Sequence, residues 1–182
     1  MLLLAMPQVL DPFFHRSVVL LIHHEEEGSL GFIVNRPTGI RVREILQGME
    51  VTWQGPDRSV AYFGGPVQPQ VGTVLYAPRD SSEEGGNVVV PGLSLTQHVG
   101  DLAELAADPP ERFRLFLGYA GWGEGQLVTE ILRNDWLTAP VSSDLIFAPD
   151  PEAVWAAALQ SVGVDPAALP SWTAGGGEET TN

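Results

Sequence analysis

Three histidines, a serine and a run of acids are the first residues in this chain that suggest chemistry. His15, His23 and His24 lie near Glu25, Glu26 and Glu27, a composition that suits a divalent metal. The spacing opposes one. Neighbouring residues on a strand project to opposite faces, which separates His23 from His24. Eight residues of extended chain put His15 about 26 Å from His23. A helical pair of histidines four apart, the zincin arrangement, does not occur. No metal site is expected. Asp11, His15 and Ser17 have the residue types of a serine triad, but nearness along the chain is not triad geometry. No G-x-S-x-G elbow occurs. With 23 acids, two-carboxylate hydrolysis stays open.

The other candidate is a glycine-rich run, Gly118-Tyr119-Ala120-Gly121-Trp122-Gly123-Glu124-Gly125-Gln126-Leu127. It follows an apolar stretch and opens a helical one, so N–H groups at the helix start could hold an anion. The glycines do not match G-x-G-x-x-G, and Glu124 brings a negative charge. The competing reading is a strained turn in which glycines supply positive φ while Tyr119 and Trp122 pack nearby.

Composition removes whole classes of mechanism. All nine basic residues are arginine, and the 182-residue chain has neither lysine nor cysteine. Disulfides, thiolate nucleophiles and cysteine-held metals are therefore excluded. So are Schiff-base chemistry, the P-loop lysine and the kinase strand lysine. No cofactor is expected. The net charge of −14 opposes nucleic acid, whose binding depends on neutralising phosphates, and opposes an anionic membrane surface as well. Residues 92–182 carry 13 of the 23 acids and three of the nine arginines, and Arg36, Arg41 and Arg43 form the only local basic cluster. The opening apolar run has no basic flank and meets Pro7 early, so no targeting segment or membrane span is expected, and the expected location is cytoplasmic.

The elements that would position these residues follow from periodicity. Residues 17–24 and 29–35 read as a hairpin that Pro37 and Gly39 end. Val42, Ile45, Leu46 and Met49 mark one helix face. Strands are expected at 60–63, 71–76 and 87–90, the last two around a polar loop at 79–86. Thr96 is placed as the cap of a helix burying Val99, Leu102, Ala103 and Ala106, which Pro109 and Pro110 stop. A strand at 113–119 leads through the glycine-rich turn into a helix at 126–134, with Leu127, Val128, Ile131 and Leu132 inward. Strands at 136–141 and 144–148 come next. The last helix has Asp150 as N-cap, Pro151 as first residue, Glu152 in its first turn and Gly163 as its stop. Its stripe is Val154, Trp155, Ala158, Leu159 and Val162. Residues 171–182 read as a frayed tail. The order is not a regular βαβα alternation, so the expectation is an α+β domain with helices packed on a large mixed sheet.

Several of these segments together resemble the YqgE/AlgH family of bacterial proteins. They are Leu4-Ala5-Met6-Pro7, Asp11-Pro12-Phe13-Phe14, Arg16-Ser17-Val18-Val19, Gly31-Phe32-Ile33-Val34-Asn35-Arg36-Pro37 and Gly64-Gly65-Pro66-Val67. Residues 117–127, Glu130-Ile131 and Asn134-Asp135-Trp136-Leu137 continue the match. The resemblance implies one domain over residues 1–165, followed by a segment at 166–182 that is flexible towards its end. It implies a cytoplasmic protein with a mixed-sheet α+β fold and no established enzyme activity, although family members often carry a transcriptional-regulator label. Two departures stand out: Val128 where relatives commonly have an acid, and Thr173-Ala174-Gly175 where many have Gly-His-Ala.

The matching residues divide by chemistry. Gly64, Gly65, Pro66, Gly118, Gly121 and Gly123 answer backbone needs. Asn35, Arg36, Tyr119, Trp122, Gln126 and Glu130 are the candidates for contact with a ligand or partner. Arg36 could clamp a carboxylate or phosphate; Gln126 and Glu130, four apart on a helix, could bind a ligand or each other. A buried polar network that fixes the loop is the other reading. The leading expectation is a non-catalytic module that binds an unidentified small molecule or protein. A hydrolase-like enzyme using acids near the glycine-rich loop is the alternative. A DNA-binding regulator is the second alternative, and the charge disfavours it. Oligomeric state is left open by the sequence.

Overall fold

The computed structural model describes residues 1–79 and 87–171. Residues 80–86 of the loop expected at 79–86, and the tail containing Thr173, Ala174 and Gly175, lie outside those residues.

The most apolar segment becomes a strand flanked on both sides and covered on both faces, where there is no room for unpaired polar side chains. Strand β1 (Leu2–Ala5) is buried at every position. It runs antiparallel to β2 (Val18–Glu25), which turns back as the expected hairpin into β3 (Gly28–Ile33). β4 (Pro37–Arg41) and helix α1 (Val42–Gln47) come next, then β5 (Val60–Phe63) and β6 (Val67–Tyr76). β7 (Asn87–Val90), β8 (Leu93–Thr96) and α2 (Val99–Ala107) lead to the long β9 (Phe113–Gly123). The chain ends with α3 (Gln126–Leu132), β10 (Trp136–Ala139), α4 (Ser143–Ile146), α5 (Val154–Ser161) and a short 3-10 turn at Pro166–Ala168.

The strands form one sheet in the order β10-β1-β2-β3-β9-β6-β8-β7, with β5 also on β9 and β4 on β5. The β5–β9 pairing is parallel and the other pairings are antiparallel, so the sheet is mixed and the fold is α+β. β9 is the junction. Its first half pairs with β5 and β6, Tyr62 opposite Phe116 and Thr73 opposite Phe116, while its second half pairs with β3, Gly28 opposite Gly123.

Side-chain alternation assigns each face its helices. Leu2, Leu4, Leu20, Phe32 and Phe116 pack beneath α5 with Trp155, Ala158 and Leu159. Leu3, Ala5, Val19, Ile33, Trp122 and Trp136 gather on the opposite face with Leu127 of α3. A third cluster joins Val42 and Leu46 of α1 to Trp53, Val74, Leu115 and Leu102 of α2.

Several expectations are corrected. The hairpin stops at Ile33, before Pro37 and Gly39, but those two residues lie in a further strand, β4, where Gly39 adopts φ +80°. The glycine-rich run is strand up to Gly123, and its only turn is at Glu124 and Gly125. Residues 144–148 are not a strand, because the Ser142 hydroxyl accepts from Leu145 N at 3.4 Å and starts α4. Thr96 belongs to β8, and α2 starts after His98; the Thr96 hydroxyl accepts from His98 N at 3.1 Å and donates to Asp101 Oδ2 at 2.7 Å. Asp150 makes a turn with Glu152 N at 3.1 Å, and the helix itself begins at Val154. Val128 and Leu132 face solvent, 47% and 78% exposed, because α3 packs on the sheet face through Leu127 and Ile131. No helix among the described residues is long and apolar enough to cross a membrane.

Candidate functional site

Asn35 and Arg36 follow β3 and hold the turn formed by residues 11–17. The Asn35 side-chain oxygen accepts from Val18 N at 2.9 Å, and its amide donates to Arg16 O at 3.0 Å. Arg36 Nη2 donates to the Phe13 and His15 carbonyls at 3.2 and 2.8 Å. Its Nε is shut away from solvent without a partner among the described residues. The guanidinium expected to clamp an anion is therefore engaged with backbone. Asp11 closes the same turn by accepting from Phe13 N at 2.8 Å. His15 Nδ1 meets the Val9 carbonyl at 3.1 Å, and Ser17 Oγ is buried with no hydrogen bond, so the sequence-adjacent triad residues do not form one.

The turn presents its two phenylalanines in different directions. Phe13 stacks on Phe63 at 5.5 Å. Phe14 enters an aromatic cluster, 6.3 Å from Trp122 and edge-on to Trp136 at 5.9 Å. Arg36 is thus a positioning residue for the wall that Phe14 supplies.

Gly64, Gly65 and Gly118 share one steric reason. A Cβ at Gly64 would come 2.3 Å from Gly118 O, one at Gly65 would come 2.1 Å from the Tyr119 carbonyl carbon, and one at Gly118 would come 2.3 Å from Gly65 O. Ile33 N donates to Gly64 O and Gly64 N donates to Leu117 O, each at 2.8 Å. The glycine pair therefore stitches the end of β3 to β9 at the point where β9 changes partners. Gly121 and Gly123 are under no such constraint, with nothing closer than 3.6 Å to either added Cβ.

Beyond that junction, β9 delivers Trp122 to Glu130 of α3. The Trp122 and Trp136 indole N–H groups donate to Glu130 Oε2 at 2.9 and 2.8 Å. Gln126 Nε2 donates to Glu130 Oε1 at 2.9 Å, and Gln126 Oε1 accepts from Gly123 N at 3.0 Å. A carboxylate offers about four acceptor directions, and three are filled. The carboxylate forms one wall of a cleft of about 430 Å³ whose lining includes Asp11, Phe14, Trp122, Trp136 and Asp135. Asp135 is bound to Arg133 at 2.6 Å. Among the described residues the lining contains no serine, threonine or histidine.

The structure thus brings Trp122, Gln126 and Glu130 together and links Asn35 and Arg36 to them through the 11–17 turn. It separates Tyr119, which packs against the α5-side core on the other face of β9. Sequence reasoning missed Phe14 and Trp136 as members of the cleft, although both lie in the segments that carried the family resemblance. Among the described residues no three histidine, aspartate or glutamate side chains could hold one metal ion.

Known proteins share this architecture. A family model described as AlgH-like matches residues 2–167. A UPF0301 protein from Myxococcus xanthus is 40% identical over 169 residues, covering 92% of both chains. One from Ruegeria pomeroyi is 40% identical over 167 residues, covering 90% of this chain and 91% of its own. The solution structure of the AlgH protein from Pseudomonas aeruginosa superposes with a TM-score of 0.74 at 33% identity, over 96% of this chain and 94% of that one. The crystal structure of a Corynebacterium diphtheriae protein superposes with a TM-score of 0.74 at 26% identity, over 88% and 84%.

Proposed function

The chain belongs to the AlgH-like family, and from that premise we propose that it acts as a non-catalytic binding module whose ligand site is the cleft over Glu130. One observation carries the reading: a carboxylate fixed by two indoles and an amide, with one acceptor direction left, on the wall of an aromatic-lined cleft. Such a group is preorganised to receive a hydrogen-bond donor and needs no rearrangement to do so. Three acids against one arginine in the lining favour a cationic or neutral donor over an anion.

The hydrolase reading has less support. Asp11 accepts from a backbone N–H, Asp135 is paired with arginine, and Glu130 is held by three donors. None is poised to shuttle a proton in the way a general acid or base must. The regulator reading still conflicts with a net charge of −14.

The test uses the full chain. Native mass spectrometry of protein purified from its own host should show a retained small molecule or partner. Amide and indole shifts on adding the host metabolite pool should cluster at Trp122, Trp136 and Gln126. A response scattered over the surface overturns the assignment of the site. Turnover in a broad hydrolase screen, abolished by Glu130→Gln, overturns the non-catalytic reading.

A further inference from the structure

A second cleft, remote from Glu130, surrounds an arginine whose charge is left unanswered. Four of the nine arginines are joined to aspartates: Arg43 to Asp57, Arg79 to Asp108, Arg112 to Asp144 and Arg133 to Asp135. Arg114 has no carboxylate partner among the described residues. It lies on β9 opposite Leu75, with its guanidinium 4.3 Å over the Tyr62 ring. Nη2 donates to the Ala148 carbonyl at 2.8 Å, while Nε is excluded from solvent and has no partner among the described residues. Burial pushes the guanidinium below its ordinary pKa. A guanidinium has five N–H donors in a planar fork, and a buried charge is costly until it is paired.

The surroundings match a ligand that would supply the pair. The cleft measures about 650 Å³ and is walled by Trp53, Tyr62 and Phe113, a volume within the range of about 300–1,000 Å³ typical of small-molecule sites. Trp53 and Phe113 lie 5.0 Å apart. Arg58, exposed and without an ion pair among the described residues, adds a second positive charge to the lining, against one acid among the described residues, Glu111. A net-positive hollow in a chain of net charge −14 is a local reversal of sign.

We propose that this cleft binds an organic anion, with a carboxylate or phosphate group against Arg114 and Arg58 and a flat apolar body along Trp53 and Phe113. The guanidinium fork can meet two oxygens of either group at once, and the aromatic walls suit the body. The site is independent of the Glu130 cleft and stands or falls separately from it.

Titration of the ¹⁵N-labelled full chain tests it, with phenyl phosphate, benzoate, inorganic phosphate and benzylammonium as probes. Phenyl phosphate, benzoate or both should shift the Arg114 Nε–H and the Trp53 indole N–H saturably, leaving the Trp122 and Trp136 indoles in place. Which of the two binds more tightly tells phosphate from carboxylate. Arg114→Gln should abolish the shift at Trp53, but it also removes the contact with Tyr62 and endangers the fold. The exposed Arg58→Gln therefore carries the comparison, with binding weakened about fivefold. The proposal is overturned by no saturation up to about 10 mM, by equal binding of benzylammonium, by inorganic phosphate binding as tightly as the aromatic anions, or by unchanged affinity in Arg58→Gln.

Discussion

Trp122 and Trp136 cross edge to face with centroids 5.8 Å apart and aim their indole N–H groups at the same oxygen of Glu130. One tryptophan comes from the end of β9 and the other from the start of β10, so a single carboxylate ties α3 to two strands that do not pair with each other.

Removing that acceptor strands two nearly buried indole donors. Hydrogen bonds to a charged group contribute about 1.5–3 kcal/mol each, less where solvent can substitute. Because Glu130 is half-buried, Glu130→Ala should lower unfolding free energy by about 2–4 kcal/mol. Glu130→Gln should fall between Ala and the native residue, since its one carbonyl oxygen can serve only part of the donor set. Urea denaturation followed by tryptophan fluorescence checks both. A loss below about 0.5 kcal/mol for Glu130→Ala would falsify the network's structural weight.

Gly118 and Gly125 form a controlled pair. Their φ angles are +70° and +65°, so alanine meets the same backbone penalty at each, about 1–2 kcal/mol. They differ in space: an added Cβ at Gly125 meets nothing within 4 Å, and one at Gly118 meets Gly65 O at 2.3 Å. Gly125→Ala should therefore cost about 1–2 kcal/mol. Gly118→Ala should cost at least about 2 kcal/mol more, because β9 and the Gly64-Gly65 crossing must move apart. Equal melting temperatures for the two variants would show that the close approach is not required.

Arg36 acts at a distance on the cleft. In Arg36→Ala the Phe13 and His15 carbonyls lose their donor and the 11–17 turn loosens. The expected loss is about 1–2 kcal/mol. Hydrogen exchange should quicken at Phe14, His15 and Ser17 before it does at β2, and the Trp122 and Trp136 indole resonances should broaden as Phe14 withdraws. Unchanged protection at Ser17 would mean that Asn35 alone holds the turn.

How much was legible varied with how local the cause was. The β2–β3 hairpin, β5 and the end of α5 follow from patterns within a few residues; Gly163 closes α5 at φ +81° with its N–H on Gln160 O at 3.0 Å. β1 did not, because four apolar residues look alike whether they form a strand, a helix turn or a leader, and only pairing with β2 and β10 decides. The strand character of residues 118–123 was hidden for a related reason. Gly118, which read as part of a turn, is instead where β9 lets Gly65 pass close, and Gly65 lies more than fifty residues upstream. The site was half visible: Gln126 and Glu130 at helical spacing were, whereas Trp136 and Phe14 come to Glu130 only through the sheet order.

The place of β1 also sets a timetable. Leu2 pairs with Ala139 on one side and Leu20 on the other, and the Trp155 indole reaches the Ala5 carbonyl at 2.8 Å across 150 residues. During synthesis the first strand leaves the ribosome long before β10 and α5 exist. Its apolar edge must wait, bare or chaperoned, until residues 136–161 have emerged. Contacts of such long sequence separation slow folding. The sheet is therefore completed beside β1 only after translation of β10, and α5 covers that face of it later still.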